Sequence, residues 1–195
     1  MPSFILASQS PRRKTLLEWA ELKFEVIVSD TDESYPDALA IEQVPVHIAE
    51  NKALAVQAKL KQVGNEHIQQ CIIAADTIVL LDNEILGKPI SREHAISTLN
   101  ALSGKTHKVI TGVALLYNGK MHGFSETTEV VFHPLSTAQI EFYVDNYKPY
   151  DKAGAYAIQE WIGVVGIKSI IGDFYNVMGL PVSKLLQTIK QLGIA

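Results

Sequence analysis

The run from Cys71 to Leu81 constrains the fold more than any other part of this chain. Its residues are almost all apolar and many are β-branched, which favours an extended strand over a helix. A strand with one solvent-facing side alternates polar and apolar residues, and this run does not. We therefore expect a central strand covered on both faces, with Asp76 and Thr77 as its only polar members.

The remaining pattern predicts an α/β protein with a mixed central sheet and flanking helices. Asn118-Gly119 lies between two alternating runs and indicates a β-hairpin, which disfavours a purely parallel sheet because a hairpin pairs its strands antiparallel. Residues 150–181 hold five of the twelve glycines and are expected to be irregular. Further strands are predicted over 4–7, 24–28, 84–86, 108–117 and 121–132, and helices from Pro11 to about residue 20 and over 45–61, 92–102, 137–147 and 182–192.

Length and composition narrow the class of protein. A chain of 195 residues with 47% apolar residues and no linker is expected to form one domain over residues 1–195. The net charge of −4 disfavours a nucleic-acid partner. The single cysteine, Cys71, excludes an internal disulfide, and no apolar run is long enough for a signal peptide or a membrane span. We expect a cytoplasmic protein with no membrane partner.

The first predicted helix begins with an unusual concentration of positive charge. Pro11 is followed by Arg12, Arg13 and Lys14, although a helix N-terminus favours acidic residues. Two interpretations remain open. An anion bound at this turn would receive the backbone N–H groups, the serine hydroxyls before them and the guanidinium groups. Alternatively, the turn is a solvated basic surface with salt-bridge partners elsewhere. If Arg13 binds an anion, its removal should weaken ligand binding much more than stability and should stabilise the ligand-free protein slightly, because a cation leaves the positive end of the helix dipole.

Asp76 must be ion-paired, metal-bound or exposed at a cleft, because an isolated buried carboxylate is costly. It is either a buried residue that accepts backbone and Thr77 hydrogen bonds, or a general base or metal ligand. Lys52 lies at the edge of the apolar stripe of its predicted helix, and extension of its amine to solvent explains most such lysines. The acidic loop with Glu33 is able to hold Mg²⁺, although solvated loop carboxylates are commoner.

No widespread catalytic motif is present. The sequence has no complete P-loop, no zinc-protease motif, no nucleophile elbow and no dinucleotide-binding glycine motif. A cationic helix start together with a carboxylate on a central strand predicts a metal-assisted phosphate site.

A set of short motifs occurs in a fixed order along nearly the whole chain: LASQSPRR at 6–13, ENKA at 50–53, AADT at 74–77, GKP at 87–89, LSGKTH at 102–107, DKAGAYAIQ at 151–159 and NVMGLP at 176–181. Together they resemble the Maf family of nucleoside triphosphate pyrophosphatases. The block at 151–159 is similar to that of the branch acting on dTTP and UTP. Ala157 and Glu160 depart from the glycines usual there.

The resemblance implies a cytoplasmic homodimeric enzyme that hydrolyses a nucleoside triphosphate to the monophosphate and pyrophosphate with a divalent cation, Mg²⁺ or Mn²⁺. It implies an inosine-triphosphatase-like fold whose two lobes flank a cleft. A nucleotide-binding regulator of cell division, without significant turnover, is the alternative associated with this family. Retention of Asp76 and both arginines argues against that alternative.

Matching the motifs position by position implies the roles of individual residues. The match implies that Asp76 is the catalytic carboxylate and that Asp76 and Glu33 hold the metal ion. The substrate-binding and specificity residues implied by the match are Ser8, Arg12, Arg13, Lys52, Thr77, Lys88 and Gln159.

Overall fold

A single mixed sheet of seven strands organises the molecule, and the computed structural model describes residues 4–62 and 70–194. The strands are β1 Phe4–Leu6, β2 Phe24–Val26, β3 Cys71–Leu81, β4 Glu84–Leu86, β5 Thr106–Tyr117, β6 Lys120–Phe132 and β7 Ile167–Ile171. Their order is β2-β1-β3-β5-β6-β7, and β4 pairs with β3 off this path. β1 is parallel to β2 and β3, whereas β4 and β7 are antiparallel to β3 and β6. The predicted mixed α/β fold is confirmed.

β3 has the central position expected from its sequence. It lies between β1 and β5, and all of its residues are buried except Asp76 and Thr77, which are half-buried. β3 turns back into β4 through Asp82 and Asn83, whose φ values of 50° and 67° are left-handed conformations that Asp and Asn tolerate. The expected hairpin at Asn118-Gly119 has the same left-handed pair of φ values, 49° and 74°.

Seven helices of the described residues accompany the sheet, and serine side chains cap two of them. Ser91 and Ser136 accept hydrogen bonds from the first turns of the helices they precede, and Ser136 forms a complete capping box with Gln139. Within the described ranges, no helix is long and apolar enough to cross a bilayer. The helices are α1 Pro11–Trp19, α2 Val44–Gln62, α3 Arg92–Leu102, α4 Thr137–Tyr147, α5 Trp161–Gly166, α6 Phe174–Met178 and α7 Val182–Gln191.

The chain divides into two compact units. Unit 1 comprises Met1–Asp76, Thr111–Glu126 and Gly179–Ala195, and unit 2 comprises Thr77–Ile110 and Thr127–Met178. In unit 1, the apolar face of α2 packs in one cluster with β1, β3 and β5, which fixes the helix against the sheet. The buried members of this cluster are Ile5, Ala7, Ala49, Ala53, Val56, Leu60, Ile72, Ala74, Ala114 and Leu116.

The expectation that residues 150–181 are irregular is wrong. This segment contains a 3₁₀ turn, Ala153–Ala155, followed by α5, β7 and α6. The prediction took the glycines of this segment as a sign of irregular backbone, but some of them permit close packing inside helices. A Cβ atom on Gly163, within α5, would collide with the Ile158 carbonyl, so glycine is required there by space rather than by a flexible backbone.

Candidate active site

Asp76 lies on the central strand β3, where it and the following Thr77 are the two residues partly exposed to solvent. Its side chain is 15% exposed, and its Oδ1 accepts a hydrogen bond of 2.7 Å from the Lys52 ammonium. The sequence left open whether Asp76 is ion-paired, metal-bound or exposed at a cleft. The structure shows that its carboxylate is ion-paired and partly exposed to solvent. A carboxylate held this way is pre-oriented by the sheet and remains available to a ligand.

Lys52 connects two carboxylates that are far apart in sequence. α2 carries it beside the buried Ala49 and Ala53, and its Nζ lies 2.7 Å from both Asp76 Oδ1 and Glu33 Oε1. Its side chain is only 16% exposed, so extension to bulk solvent does not describe it. Glu33, in the loop after β2, remains half-exposed. The loop, the helix and the central strand thus converge on one ammonium group.

Arg13 is buried despite its place in the first turn of α1. Its Nε donates to the Gly179 carbonyl oxygen at 2.8 Å, and its Nη1 donates to Ser8 Oγ at 3.1 Å. Burial lowers the pKa of Arg13, and the negative charges of Asp76 and Glu33 partly oppose that effect. The interpretation as a solvated basic turn is therefore wrong for Arg13, which is fixed inside unit 1 close to the paired carboxylates.

The other two cations of this turn have different surroundings. Lys14 is more than half exposed and pairs with Glu18 one helical turn later at 3.7 Å, as a solvated basic turn would. Arg12 is half-buried. Ser10 caps α1 without a side-chain hydrogen bond, and its backbone N–H instead donates to Ser8 Oγ at 3.2 Å. Ser8 therefore receives hydrogen bonds from both the chain before α1 and the Arg13 side chain.

The charges of this part of unit 1 favour an anionic ligand together with a cation. Lys52 pairs with the carboxylates of Glu33 and Asp76, and the same two negative charges act on Arg13. Arg12 adds a second guanidinium group whose charge also acts on Arg13. Among the described residues, no group of three or more His, Cys, Asp or Glu side chains could hold a metal ion by itself. Two carboxylates that already converge on a cationic group are nevertheless what Mg²⁺ uses when substrate phosphates supply its other ligands. The residues present fit such an ion.

Three of the predicted site residues, Thr77, Lys88 and Gln159, belong to unit 2. Thr77 follows Asp76 on β3 and is half-buried, whereas Lys88 and Gln159 are exposed. Lys88 follows β4, and the carbonyl of the preceding Gly87 accepts a hydrogen bond of 3.2 Å from Gly154. Gly154 has a φ of 68°, and a Cβ atom there would lie 2.9 Å from a methyl group of Val79 on β3. The hydrogen bond from Gly154 to Gly87 therefore joins the Lys88 segment to the 3₁₀ turn, while the missing Cβ atom lets Gly154 pack against Val79.

Gln159 occupies a short turn anchored by side chains that the sequence analysis did not select. Glu160 N donates to Ala157 O at 3.1 Å, which closes the turn. Tyr143 of α4 donates its hydroxyl hydrogen to Glu160 Oε2 and accepts a hydrogen bond from Ala157 N at 3.2 Å. Lys152 Nζ lies 3.5 Å from Glu160 Oε1. The sequence offered one signal for this anchor, because Glu160 stands where the family pattern has glycine. Its partner, Tyr143 on α4, could not be predicted from spacing.

A second anchor of the same segment is the buried pair of His107 and Tyr156. His107 Nε2 and the Tyr156 hydroxyl are 2.7 Å apart, and both rings contact Phe132. Burial lowers the pKa of His107 to about 4, so the imidazole is neutral at neutral pH. Burial raises the pKa of Tyr156, which therefore stays protonated. The pair is an uncharged structural contact between β5 and the segment before Gln159.

A family model and relatives of related sequence match nearly the whole chain. The family model described as Maf-like protein matches residues 3–192. The dTTP/UTP pyrophosphatase of Parabacteroides distasonis is 48% identical over 187 residues, covering 95% of this chain and 94% of that protein. The dTTP/UTP pyrophosphatase of Cytophaga hutchinsonii is 48% identical over 188 residues, covering 96% and 83%. Among solved structures, the Staphylococcus aureus Ham1 protein aligns with a TM-score of 0.45 at 14% identity, covering 67% of this chain and 71% of that one.

Proposed function

The chain belongs to the Maf family, and we propose that it is a nucleoside triphosphate pyrophosphatase that hydrolyses dTTP and UTP to the monophosphate and pyrophosphate. The observation that carries this proposal is the Lys52 ammonium shared by Asp76 and Glu33, with Arg13 fixed nearby. Relatives of nearly half-identical sequence bear the name of this activity. The family match spans both compact units, so we further propose that residues 1–195 act as one domain.

The cationic residues bind the triphosphate. A nucleoside triphosphate carries about four negative charges, and the proposed phosphate ligands are Ser8, Arg13, Lys52 and Lys88. Before substrate binds, Lys52 is compensated by two carboxylates. A phosphate oxygen that binds the Lys52 ammonium replaces Glu33 as its second partner, which frees the Glu33 carboxylate while Lys52 stays hydrogen-bonded to Asp76. Ser8 and Arg13 are already joined by a hydrogen bond, so little ordering is needed when phosphate arrives.

Asp76 acts on the attacking water. Its position on β3 fixes the carboxylate, and its partial exposure admits the water molecule. Asp76 orients the water and accepts its proton as the water oxygen attacks the α-phosphorus. The bond from the α-phosphorus to the bridging oxygen breaks, and pyrophosphate leaves with that oxygen while the monophosphate remains. Lys52, hydrogen-bonded to Asp76 Oδ1, stabilises the carboxylate and neutralises charge that develops on the phosphate.

A divalent cation, Mg²⁺ or Mn²⁺, would be held by Glu33 and Asp76 together with phosphate oxygens of the substrate. When bound, it neutralises phosphate charge and polarises the bond that breaks. Glu33 is half-exposed in a loop, so it is able to approach the cation while Asp76 stays fixed by the sheet.

Glu33→Gln should raise the Mg²⁺ concentration needed for half-maximal activity by roughly tenfold, because one charge-assisted ligand is lost. Activity at saturating Mg²⁺ should change much less, and EDTA should abolish activity of both proteins. The measurement is pyrophosphate release during a Mg²⁺ titration. Glu42→Gln, at another exposed glutamate, is the control and should follow the unmodified enzyme. An unchanged Mg²⁺ requirement in Glu33→Gln would remove this residue from the metal site.

Gln159 recognises the base. Its amide offers an acceptor and two donors, which pair with the N3–H and O4 that uracil and thymine share. Arg12 and Thr77 are the other proposed specificity residues. Uracil and thymine differ at C5, so acceptance of both requires space there and no contact with the 2′-hydroxyl. Purines are rejected because the larger ring overfills the same space.

Gln159→Ala should lower kcat/KM for dTTP and UTP together, by about tenfold or more, because one or two base hydrogen bonds are lost. Stability should change little, since Gln159 is exposed. Steady-state pyrophosphate release with each nucleotide measures the effect. A selective loss with only one of the two pyrimidines would contradict recognition through their shared edge.

A panel of purified nucleoside triphosphates with Mg²⁺ or Mn²⁺ is the direct test of the proposed function. We expect dTTP and UTP to be hydrolysed best and purine triphosphates worst. Higher kcat/KM for GTP or ITP would overturn the proposed specificity, and release of inorganic phosphate in place of pyrophosphate would overturn the reaction itself.

We also propose that the enzyme is a cytoplasmic homodimer that needs neither nucleic acid nor membrane. The net charge of −4 supports the absence of a nucleic-acid partner. The single cysteine, Cys71, supports the cytoplasmic location. Burial raises the pKa of its thiol to about 12, so the thiol is unreactive and forms no disulfide within the described residues. Light scattering after gel filtration tests the assembly, and a mass of about 21.5 kDa in place of twice that value would exclude the dimer.

A further inference from the structure

The turn from Ala157 to Glu160 presents its residues in opposite directions. Gln159 is exposed at the tip, whereas Ile158 before it is buried and Glu160 after it is half-buried. The Glu160 N–H donates to the Ala157 carbonyl oxygen at 3.1 Å, so these two residues are the ends of the turn. Whatever fixes these two ends also fixes the point from which the Gln159 side chain extends.

One phenolic oxygen contacts both ends of this turn. Tyr143 is fully buried on α4, and its hydroxyl accepts a hydrogen bond of 3.2 Å from Ala157 N. The same hydroxyl donates to Glu160 Oε2. A tyrosine hydroxyl has one hydrogen to donate and lone pairs to accept, so both contacts are satisfied at once. The Tyr143 oxygen therefore holds the beginning and the end of the turn at a fixed separation.

The charge of the Glu160 carboxylate is compensated within the same unit. Lys152 is buried, with 8% of its surface exposed, and its Nζ lies 3.5 Å from Glu160 Oε1 and 2.7 Å from Asp151 Oδ1. A partly buried carboxylate with a cation on one oxygen and a phenol on the other has little freedom to reorient. Glu160 is thus a rigid partner for Tyr143.

We propose that Tyr143 is a positioning residue for base recognition, because its hydroxyl sets the turn that presents Gln159 to the nucleotide. The inference rests on the proposed function, since it assigns Gln159 the contact with the base. A glutamine side chain has several rotatable bonds and contributes to selectivity only if its backbone is held in place. Tyr143 does not touch the base and acts entirely through the turn.

Tyr143→Phe tests the inference, with Tyr147→Phe as a matched control. Both residues lie on α4, and their rings stack at 5.0 Å, but the contacts with the Gln159 turn come from Tyr143. Each change removes a single hydroxyl. Without nucleotide, hydrogen exchange of the backbone amides at residues 157–160 should accelerate by about tenfold in Tyr143→Phe, since the Ala157 N–H loses its acceptor, and should be unchanged in Tyr147→Phe.

The functional readout is a double-mutant cycle with Gln159→Ala. Tyr143→Phe should lower kcat/KM for dTTP and UTP by about tenfold, mainly through KM, in the unmodified enzyme. In the Gln159→Ala background the same change should have an effect of less than about twofold, because the residue through which it acts is gone. A purely structural role would reduce activity equally in both backgrounds.

The outcomes separate this inference from the function on which it rests. Equal effects in the two backgrounds, or unchanged exchange at residues 157–160, would overturn the positioning role while leaving the pyrophosphatase activity in place. Failure of the unmodified enzyme to hydrolyse any nucleoside triphosphate would overturn the proposed function and the inference with it. If the enzyme prefers another base, the cycle is measured with that nucleotide, and non-additivity would still support the role of Tyr143.

Discussion

Asp76→Asn is expected to lower kcat by about 10²–10⁴-fold, because asparagine keeps the shape of the side chain but neither its charge nor its basicity. The protein should still fold, since the amide oxygen of asparagine is able to accept the Lys52 hydrogen bond that Asp76 Oδ1 accepts at 2.7 Å. The effect should be smaller on KM than on kcat if Asp76 acts mainly in the transition state. Single-turnover and steady-state pyrophosphate release with dTTP measure both parameters.

Asp82→Asn is the matched control for this change. Asp82 lies in the exposed turn after β3 and pairs with Lys105 at 3.2 Å on the surface, so its substitution should leave turnover unchanged. Circular dichroism and thermal unfolding of both variants separate a chemical defect from misfolding. Normal turnover of Asp76→Asn, or its failure to fold, would assign the carboxylate a structural role and leave the catalytic base to be found elsewhere.

The central part of the fold could be predicted from sequence because its signals are local. The apolar run of β3 and the turn residues Asp82 and Asn118 each specify backbone conformation within a few residues. The same reasoning located Asp76, since a carboxylate inside a buried strand is anomalous wherever the strand lies in the sheet. The structure adds its partner, Lys52, which comes from a helix packed on that strand.

Other features depend on contacts between distant segments and could not be derived from spacing. Arg13 tolerates burial because its side chain finds an acceptor in the carbonyl oxygen of Gly179, 166 positions later in the chain. Residues 150–181 form helices and a strand where the sequence predicts irregular structure. The number of glycines does not distinguish a loop from a helix that needs close packing, as at Gly163. The role assigned to Tyr143 follows from its contact with Glu160, 17 positions later and on a different element. Such contacts are determined by the tertiary fold, not by local propensity.

Arg13→Ala is expected to destabilise the protein, although a cation at the first turn of a helix opposes the helix dipole. The dipole effect is worth less than about 1 kcal/mol at such a position. Arg13 is buried, and its removal leaves the Gly179 carbonyl without its 2.8 Å donor and opens a cavity beside Ser8. The loss of buried, charge-assisted hydrogen bonds costs about 3 kcal/mol, which corresponds to a decrease in melting temperature of roughly 6–12 °C.

Comparison of three variants separates the structural and the substrate-binding roles of Arg13. Arg13→Lys keeps the positive charge, but an ammonium group cannot reach Gly179 and Ser8 together as the planar guanidinium does. Its KM for dTTP should lie between those of Arg13→Ala and the unmodified enzyme, whereas its stability should stay close to that of Arg13→Ala. Lys14→Ala removes a neighbouring cation that is more than half exposed, and both stability and KM should stay close to those of the unmodified enzyme. Thermal unfolding, with and without a saturating non-hydrolysable nucleotide, measures the two effects separately. If Arg13→Ala were as stable as Lys14→Ala, the hydrogen bond to Gly179 would contribute nothing, whereas an unchanged KM for dTTP would exclude Arg13 from phosphate binding.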